Sequence, residues 1–213
     1  MLVVLAMLPS ACTTARESAA QRLQARAAYE RGLSYLRDKQ PAPALTAFQE
    51  AVGLDAQEPL YRNELGRLLL LMRRPDLALE QFREATNLDA GYADAHFHTG
   101  VALAELTRWE EAVPAYRRAI TLPTLNSPHL AYQSLGLALY HLKRYREAEE
   151  ALRFAISMDP KLEGAYYNLG LVLVAENRKD EARTAFRQAR ELAPESPFGQ
   201  AALERLRALG DGG

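Results

Sequence analysis

Residues 129–162 read HLAYQSLGLALYHLKRYREAEEALRFAISMDPKL, and residues 163–196 read EGAYYNLGLVLVAENRKDEARTAFRQARELAPES. Laid over one another they share a glycine at Gly136 and Gly170, an alanine at Ala148 and Ala182, and another at Ala155 and Ala189. The glycine recurs towards the amino terminus at Gly100, Gly66 and Gly32, so that successive spacings along the chain are 34, 34, 36 and 34 residues. Twelve residues after each glycine stands Ala44, Ala78, Ala112, Ala148 or Ala182. Four further on come Phe48, Phe82, Tyr116, Leu152 and Phe186, and three beyond those Ala51, Ala85, Ala119, Ala155 and Ala189. Asp159-Pro160 and Ala193-Pro194 close their blocks, because proline cannot continue a helix. A period of this length marks a protein in which one unit cannot bury its own apolar face and stacking creates the core.

Composition agrees. Of 213 residues, 37 are Ala and 35 Leu, whereas Val and Ile together number nine, which favours helices and argues against a sheet-based enzyme fold. The 26 basic and 27 acidic residues are interspersed and leave a net charge of -1, so the chain lacks the basic field that nucleic-acid backbones require. A single cysteine, Cys12, excludes an intramolecular disulfide and a thiol metal site.

The recurring Gly, Ala, aromatic and terminal Pro positions resemble the tetratricopeptide repeat. The resemblance implies an all-α, right-handed superhelical solenoid of five helix-turn-helix units, at 25–58, 59–92, 93–128, 129–162 and 163–196. In this reading the small residues let the two helices of a unit cross closely, and the aromatic fills the space between one unit and the next. Residues 197–213 form a capping helix and tail, with Ala201, Leu203, Leu206 and Leu209 on its apolar face. The third unit carries two extra residues in Leu122–Pro128 (LPTLNSP), and this expanded turn places Leu122 and Leu125 on the surface, as a possible partner contact, or over the joint between units.

No arrangement of catalytic residues stands out. His96 and His98 are two apart, which on a helix puts them on different faces, and phosphate loops, zinc-protease motifs and nucleophile elbows are missing from the sequence. The expectation is a non-enzyme without cofactor or metal. In the resembled family the fifth, ninth and twelfth positions of each first helix face a concave groove. Here they are Tyr29, Leu33, Leu36; Asn63, Arg67, Leu70; Phe97, Val101, Ala104; Gln133, Leu137, Tyr140; and Tyr167, Leu171, Val174. Most are apolar or aromatic, which suits an amphipathic protein segment. Core packing between neighbouring first helices is the competing reading, above all at the ninth positions. Carboxylate-gripping members use Asn at the fifth position of successive units; only Asn63 matches, between Tyr29 and Phe97.

At the amino terminus, Leu2 to Leu8 (LVVLAML) is an apolar run far short of the ~20 residues that span a bilayer. Pro9, Ser10, Ala11 and Cys12 follow, which resembles the lipobox of bacterial lipoproteins. That resemblance makes 1–11 a signal peptide and Cys12 the lipid-bearing first residue of the mature chain. No Lys or Arg precedes the apolar run, as if the start were placed too late. Thr13, in place of Asp, implies outer-membrane sorting, with the protein on the periplasmic face. Ser18 followed by Gln21 reads as a helix cap, leaving Thr13–Ser18 as a tether of roughly 20 Å at full extension.

Export signal, lipobox, repeats and a Leu-Pro turn before Ala131-Tyr132-Gln133-Ser134-Leu135-Gly136 together resemble the type IV pilus pilotin family. That resemblance implies a monomeric outer-membrane lipoprotein that binds the pilus secretin and promotes its multimerisation, supporting pilus biogenesis and motility. Two alternatives stay open: a repeat scaffold for another cell-envelope complex, and a cytosolic adaptor with a mistaken amino terminus.

Overall fold

A computed structural model describes the backbone of residues 10–210 and the side chains of residues 18–210. The apolar run at 2–8 and the side chain of Cys12 lie outside the described residues. The described residues form eleven helices and no strand, so the fold is all-α. The first helices of the repeats are α1 (Ser10–Arg37), α3 (Pro59–Leu71), α5 (Ala93–Glu105), α7 (Pro128–His141) and α9 (Glu163–Ala175). The second helices are α2 (Pro41–Leu54), α4 (Pro75–Leu88), α6 (Trp109–Ile120), α8 (Tyr145–Met158) and α10 (Lys179–Leu192), and α11 (Pro197–Ala208) follows. The chain divides into two compact units: residues 1–90, holding α1 to α4, and residues 91–213, holding α5 to α11.

Within each unit every first helix packs most closely on the second helix of its own repeat, and the next repeat packs on that pair. The reason is visible at the glycines. A Cβ on Gly32 or Gly66 would lie 2.5 Å from the ring of Phe48 or Phe82, and one on Gly100 would lie 2.6 Å from that of Tyr116. Gly170 faces Phe186 in the same way, and at Gly136 the obstacle is Leu152, 2.5 Å away. Repeat position alone puts the aromatic between one repeat and the next; in the structure it lies on the glycine of its own repeat. All five of these side chains are buried, and a ring of this kind contributes about 1.5–3 kcal/mol by burial. Ala44, Ala51 and their equivalents in the other repeats are buried beside them.

The turns between first and second helices repeat as well. Lys39, Arg73, Thr107, Lys143 and Asn177 have φ between 56° and 61°, the left-handed region. The residue after each donates its N–H back five positions: Gln40 to Tyr35 at 2.8 Å, Arg74 to Leu69 at 2.9 Å, Arg108 to Leu103 at 2.8 Å, Arg144 to Leu139 at 2.9 Å, Arg178 to Leu173 at 2.8 Å. This is the Schellman closure, which satisfies the last carbonyls of one helix and reverses the chain into the next.

One detail differs from the sequence reading, and two add to it. Helix α1 already begins at Ser10, so Ser18 stands inside it and residues 13–18 are helical rather than an extended tether. Residues 18–24 are exposed, Leu23 at 70 %, and burial begins at Ala25. The expanded turn is pinned: Asn126 donates its backbone N–H to Asp94 Oδ1 at 3.2 Å and its side-chain amide to Oδ2, and Leu122 and Leu125 are half-buried. In α11, Ser196 Oγ caps the helix by accepting from the Gly199 N–H at 3.1 Å, and the deepest residues are Gly199, Ala202 and Leu206, with Ala201, Leu203 and Leu209 half-buried.

Because the ring on each glycine is fixed by surrounding core, Gly100→Ala is expected to cost about 1–3 kcal/mol in urea unfolding; an unchanged midpoint would contradict the close contact. Thr107 is β-branched and left-handed, so Thr107→Gly is expected to raise stability by about 1 kcal/mol in the same assay.

Candidate functional site

In the first unit, α1 and α3 line a cleft of about 930 Å³. Leu33, Leu36, Leu68, Leu70 and Leu71 give it an apolar floor, and Glu30, Arg37, Glu64 and Arg67 carry its charge. Leu71 is 68 % exposed, an unusual state for leucine in a packed helix pair. Four of the residues singled out from sequence, Leu33, Leu36, Arg67 and Leu70, therefore meet in one concavity. The ninth and twelfth positions are close neighbours on a helix, three residues apart, which is why they share it.

Tyr29 and Asn63 are not part of that lining. The Tyr29 ring packs on Phe48 at 5.9 Å and on Tyr61 at 5.2 Å, and its phenol is pushed above its ordinary pKa first by burial and then by Glu64. Asn63 is only 2 % exposed and donates to Glu64 Oε1 at 3.2 Å. Arg67 donates to both oxygens of the same carboxylate at 3.0 and 2.9 Å. The one asparagine at a fifth position thus serves a polar cluster in which Asn63 and Glu64 are buried and Arg67 reaches solvent.

In the second unit the singled-out residues are distributed differently. Val101, Leu137 and Leu171 are half-buried along α5, α7 and α9, and Val174 is exposed. Phe97 packs on Tyr116 at 5.9 Å and Tyr140 on Tyr145 at 6.0 Å. Tyr167 is held between Phe186 and Phe198, both at 5.7 Å. Phe198 comes from α11 and reaches the spot where a Cβ on Gly164 would lie 2.9 Å from it and from the carboxamide of Gln133. The Oε1 of Gln133 is buried and has no hydrogen-bond partner. Sequence reasoning gives α11 only a capping role, whereas its Phe198 also packs on Tyr167. The signal is Gly164, which leaves room for a ring from the following helix.

Electrostatics follow the turns. Arg108, Arg144 and Arg178 each precede a second helix and fork onto the glutamate three residues on, Glu111, Glu147 and Glu181, at 2.6–2.7 Å. Glu147 also accepts from Arg117 of the preceding repeat at 2.6 Å, and Glu149 accepts from Arg178 of the following one at 2.5 Å. These bonds hold the Glu147, Glu149 and Glu181 carboxyls below the usual carboxylate range. Among the described residues no group of three or more His, Cys, Asp or Glu could hold a metal ion, and no helix is long and apolar enough to cross a membrane.

A family model described as tetratricopeptide repeat matches residues 63–126 and 134–197. No curated protein matches the chain significantly. Among solved structures, MamA is similar at 26 % identity and a TM-score of 0.69, covering 77 % of this chain and 95 % of its own. PilW, described as a widely conserved type IV pilus biogenesis factor, is similar at 18 % identity and a TM-score of 0.78, covering 88 % of this chain and 87 % of its own. YrrB, described as a tetratricopeptide protein with an unusual peptide-binding site, is similar at 19 % identity and a TM-score of 0.69, covering 90 % of this chain and 97 % of its own.

For Glu149, hydrogen bonding from Arg178 lowers the folded-state pKa from 4.5, outweighing burial. A depressed carboxyl contributes stability that is complete above 4.5 and is lost as pH falls through the folded value. Glu149→Gln is therefore expected to be less stable than the parent at neutral pH, with the difference shrinking as pH falls below 4.5. Urea midpoints measured across that range check it, and a pH-independent difference would contradict the assignment.

Proposed function

The chain belongs to the tetratricopeptide repeat family, and from that membership we propose that it is a scaffold, not an enzyme, that works as an outer-membrane lipoprotein of a type IV pilus system. Lipid on Cys12 anchors it to the membrane on the periplasmic side, and its partner is the pilus secretin, whose assembly in the outer membrane it promotes. The observation that carries this reading is the cleft on α1 and α3, with leucines below and charges at the edge. Such a surface suits an amphipathic helix or strand, whose apolar side needs cover until it meets lipid or its neighbours. The expanded Leu-Pro turn, the lipobox-like Cys12 and the likeness to PilW support the pilus assignment. The likeness to YrrB supports binding of a peptide segment by this repeat architecture.

A second reading, a repeat scaffold for a complex other than the pilus, is favoured by the higher identity with MamA than with PilW. It uses the same cleft and differs in partner.

The test introduces charge where the floor is half-buried and the fold is not at stake. Leu36→Glu with Leu70→Glu, in a protein that keeps its helical circular dichroism and its membrane fraction, is expected to cut secretin multimers at least about tenfold, since a buried unpaired charge costs more than about 1.4 kcal/mol. Undiminished multimers would remove the cleft from the mechanism. Radiolabelled palmitate is expected on the parent and not on Cys12→Ala; an unlabelled parent would return the protein to the cytosolic alternative.

A further inference from the structure

The second unit carries two notches built from equivalent positions of successive repeats. One lies between α6, α7 and α8, with a volume of about 290 Å³ and a floor of Leu135, Leu139 and Ala151. The other lies between α8, α9 and α10, with a volume of about 230 Å³ and a floor of Leu169, Leu173 and Ala185. Tyr132 and Tyr166 occupy the same wall position. The notches differ at two places: Phe154 and Glu150 in the first are Gln188 and Thr184 in the second.

Both differences change what the first notch can hold. Phe154 is 46 % exposed, and its ring lies 4.4 Å from that of Tyr132 at 52°, so the notch has an aromatic corner open to solvent. Of the three charged side chains lining it, Arg117 and Glu147 are paired at 2.6 Å. Among the described residues Glu150 has neither ion pair nor hydrogen bond, and it is exposed. The remaining charge at the aromatic corner is thus a carboxylate. An apolar floor, two ring faces and an unpaired carboxylate together complement a long side chain that is apolar along its stem and cationic at its planar tip.

We propose that this notch is a second protein-binding site, separate from the cleft on α1 and α3, and that it takes an arginine side chain of a partner. The stem lies on Leu135 and Leu139, the guanidinium stacks against Phe154 and Tyr132, and its N–H groups donate to Glu150. Arginine fits better than lysine because its planar tip stacks and forks onto a carboxylate at once. The neighbouring notch, which lacks the ring and the carboxylate, is an internal control.

Titrating the full chain with N-acetyl-arginine amide while following tyrosine ring resonances by NMR tests this. Saturable shifts are expected at Tyr132 and not at Tyr166. Glu150→Gln and Phe154→Leu, both conservative changes at exposed positions, are each expected to weaken the response about threefold or more, and added salt is expected to weaken it in the parent. Three results would overturn the proposal: no shift at Tyr132, equal shifts at Tyr132 and Tyr166, or an equal response to N-acetyl-norleucine amide, which would make the notch merely apolar.

Discussion

The fold depends on one contact made five times, a glycine in a first helix against a bulky side chain from the second helix of the same repeat. Helix pairs ordinarily keep their axes apart by the thickness of their side chains. Here one partner has none, so the other can lie flat against bare backbone and be buried completely. Leu152 shows that aromaticity is not the requirement, because Gly136 is as constrained by its branched carbons as Gly66 is by the Phe82 ring. What the contact demands is bulk on one helix and its absence on the other. A substitution at the glycine is therefore felt by the whole hairpin, while stability beyond the hairpin comes from the next repeat.

That contact also decides what the wall of first helices can present. The fifth position is one turn before the glycine, so a ring there meets the same buried ring: Tyr29 meets Phe48, Phe97 meets Tyr116 and Tyr167 meets Phe186, all at 5.7–5.9 Å. These aromatics form a second layer of the repeat core. The ninth and twelfth positions point past that layer, and in the first unit their leucines floor the cleft. A wall with rings committed inward and leucines turned outward favours a partner that offers flexible apolar side chains.

The period, the helix pairs and the close-contact alanines are legible in the sequence because small residues at a fixed spacing mark places where helix backbones must approach closely. The space that the aromatic fills is not, since a position in a repeat does not say whether a side chain packs within its unit or against the next. The left-handed turns are invisible too: four of the five residues are Lys, Arg or Thr rather than Gly or Asn, and the closure is identified only by hydrogen bonds running back five residues. Asn63 looks like a groove residue by position, and its burial follows from Glu64 and Arg67, whose coupling depends on side-chain geometry. Phe198 escapes notice because its importance lies in what Gly164 lacks.

The turns bring stability and surface chemistry to the same residues. Arg108, Arg144 and Arg178 each end a Schellman closure at the start of the next helix, and forking onto a glutamate in the first turn satisfies that carboxylate near the positive end of the helix. In the second unit the forks extend into a ladder, Arg117 to Glu147 to Arg144 from the third repeat into the fourth and Arg153 to Glu149 to Arg178 to Glu181 from the fourth into the fifth. Of the three charges lining the first notch, the ladder takes up Arg117 and Glu147 and leaves Glu150 outside it. That carboxylate stands one turn from the exposed Phe154 ring on α8 and is open to a ligand. The adjoining repeat, with threonine and glutamine at those positions, shows that the architecture does not require it.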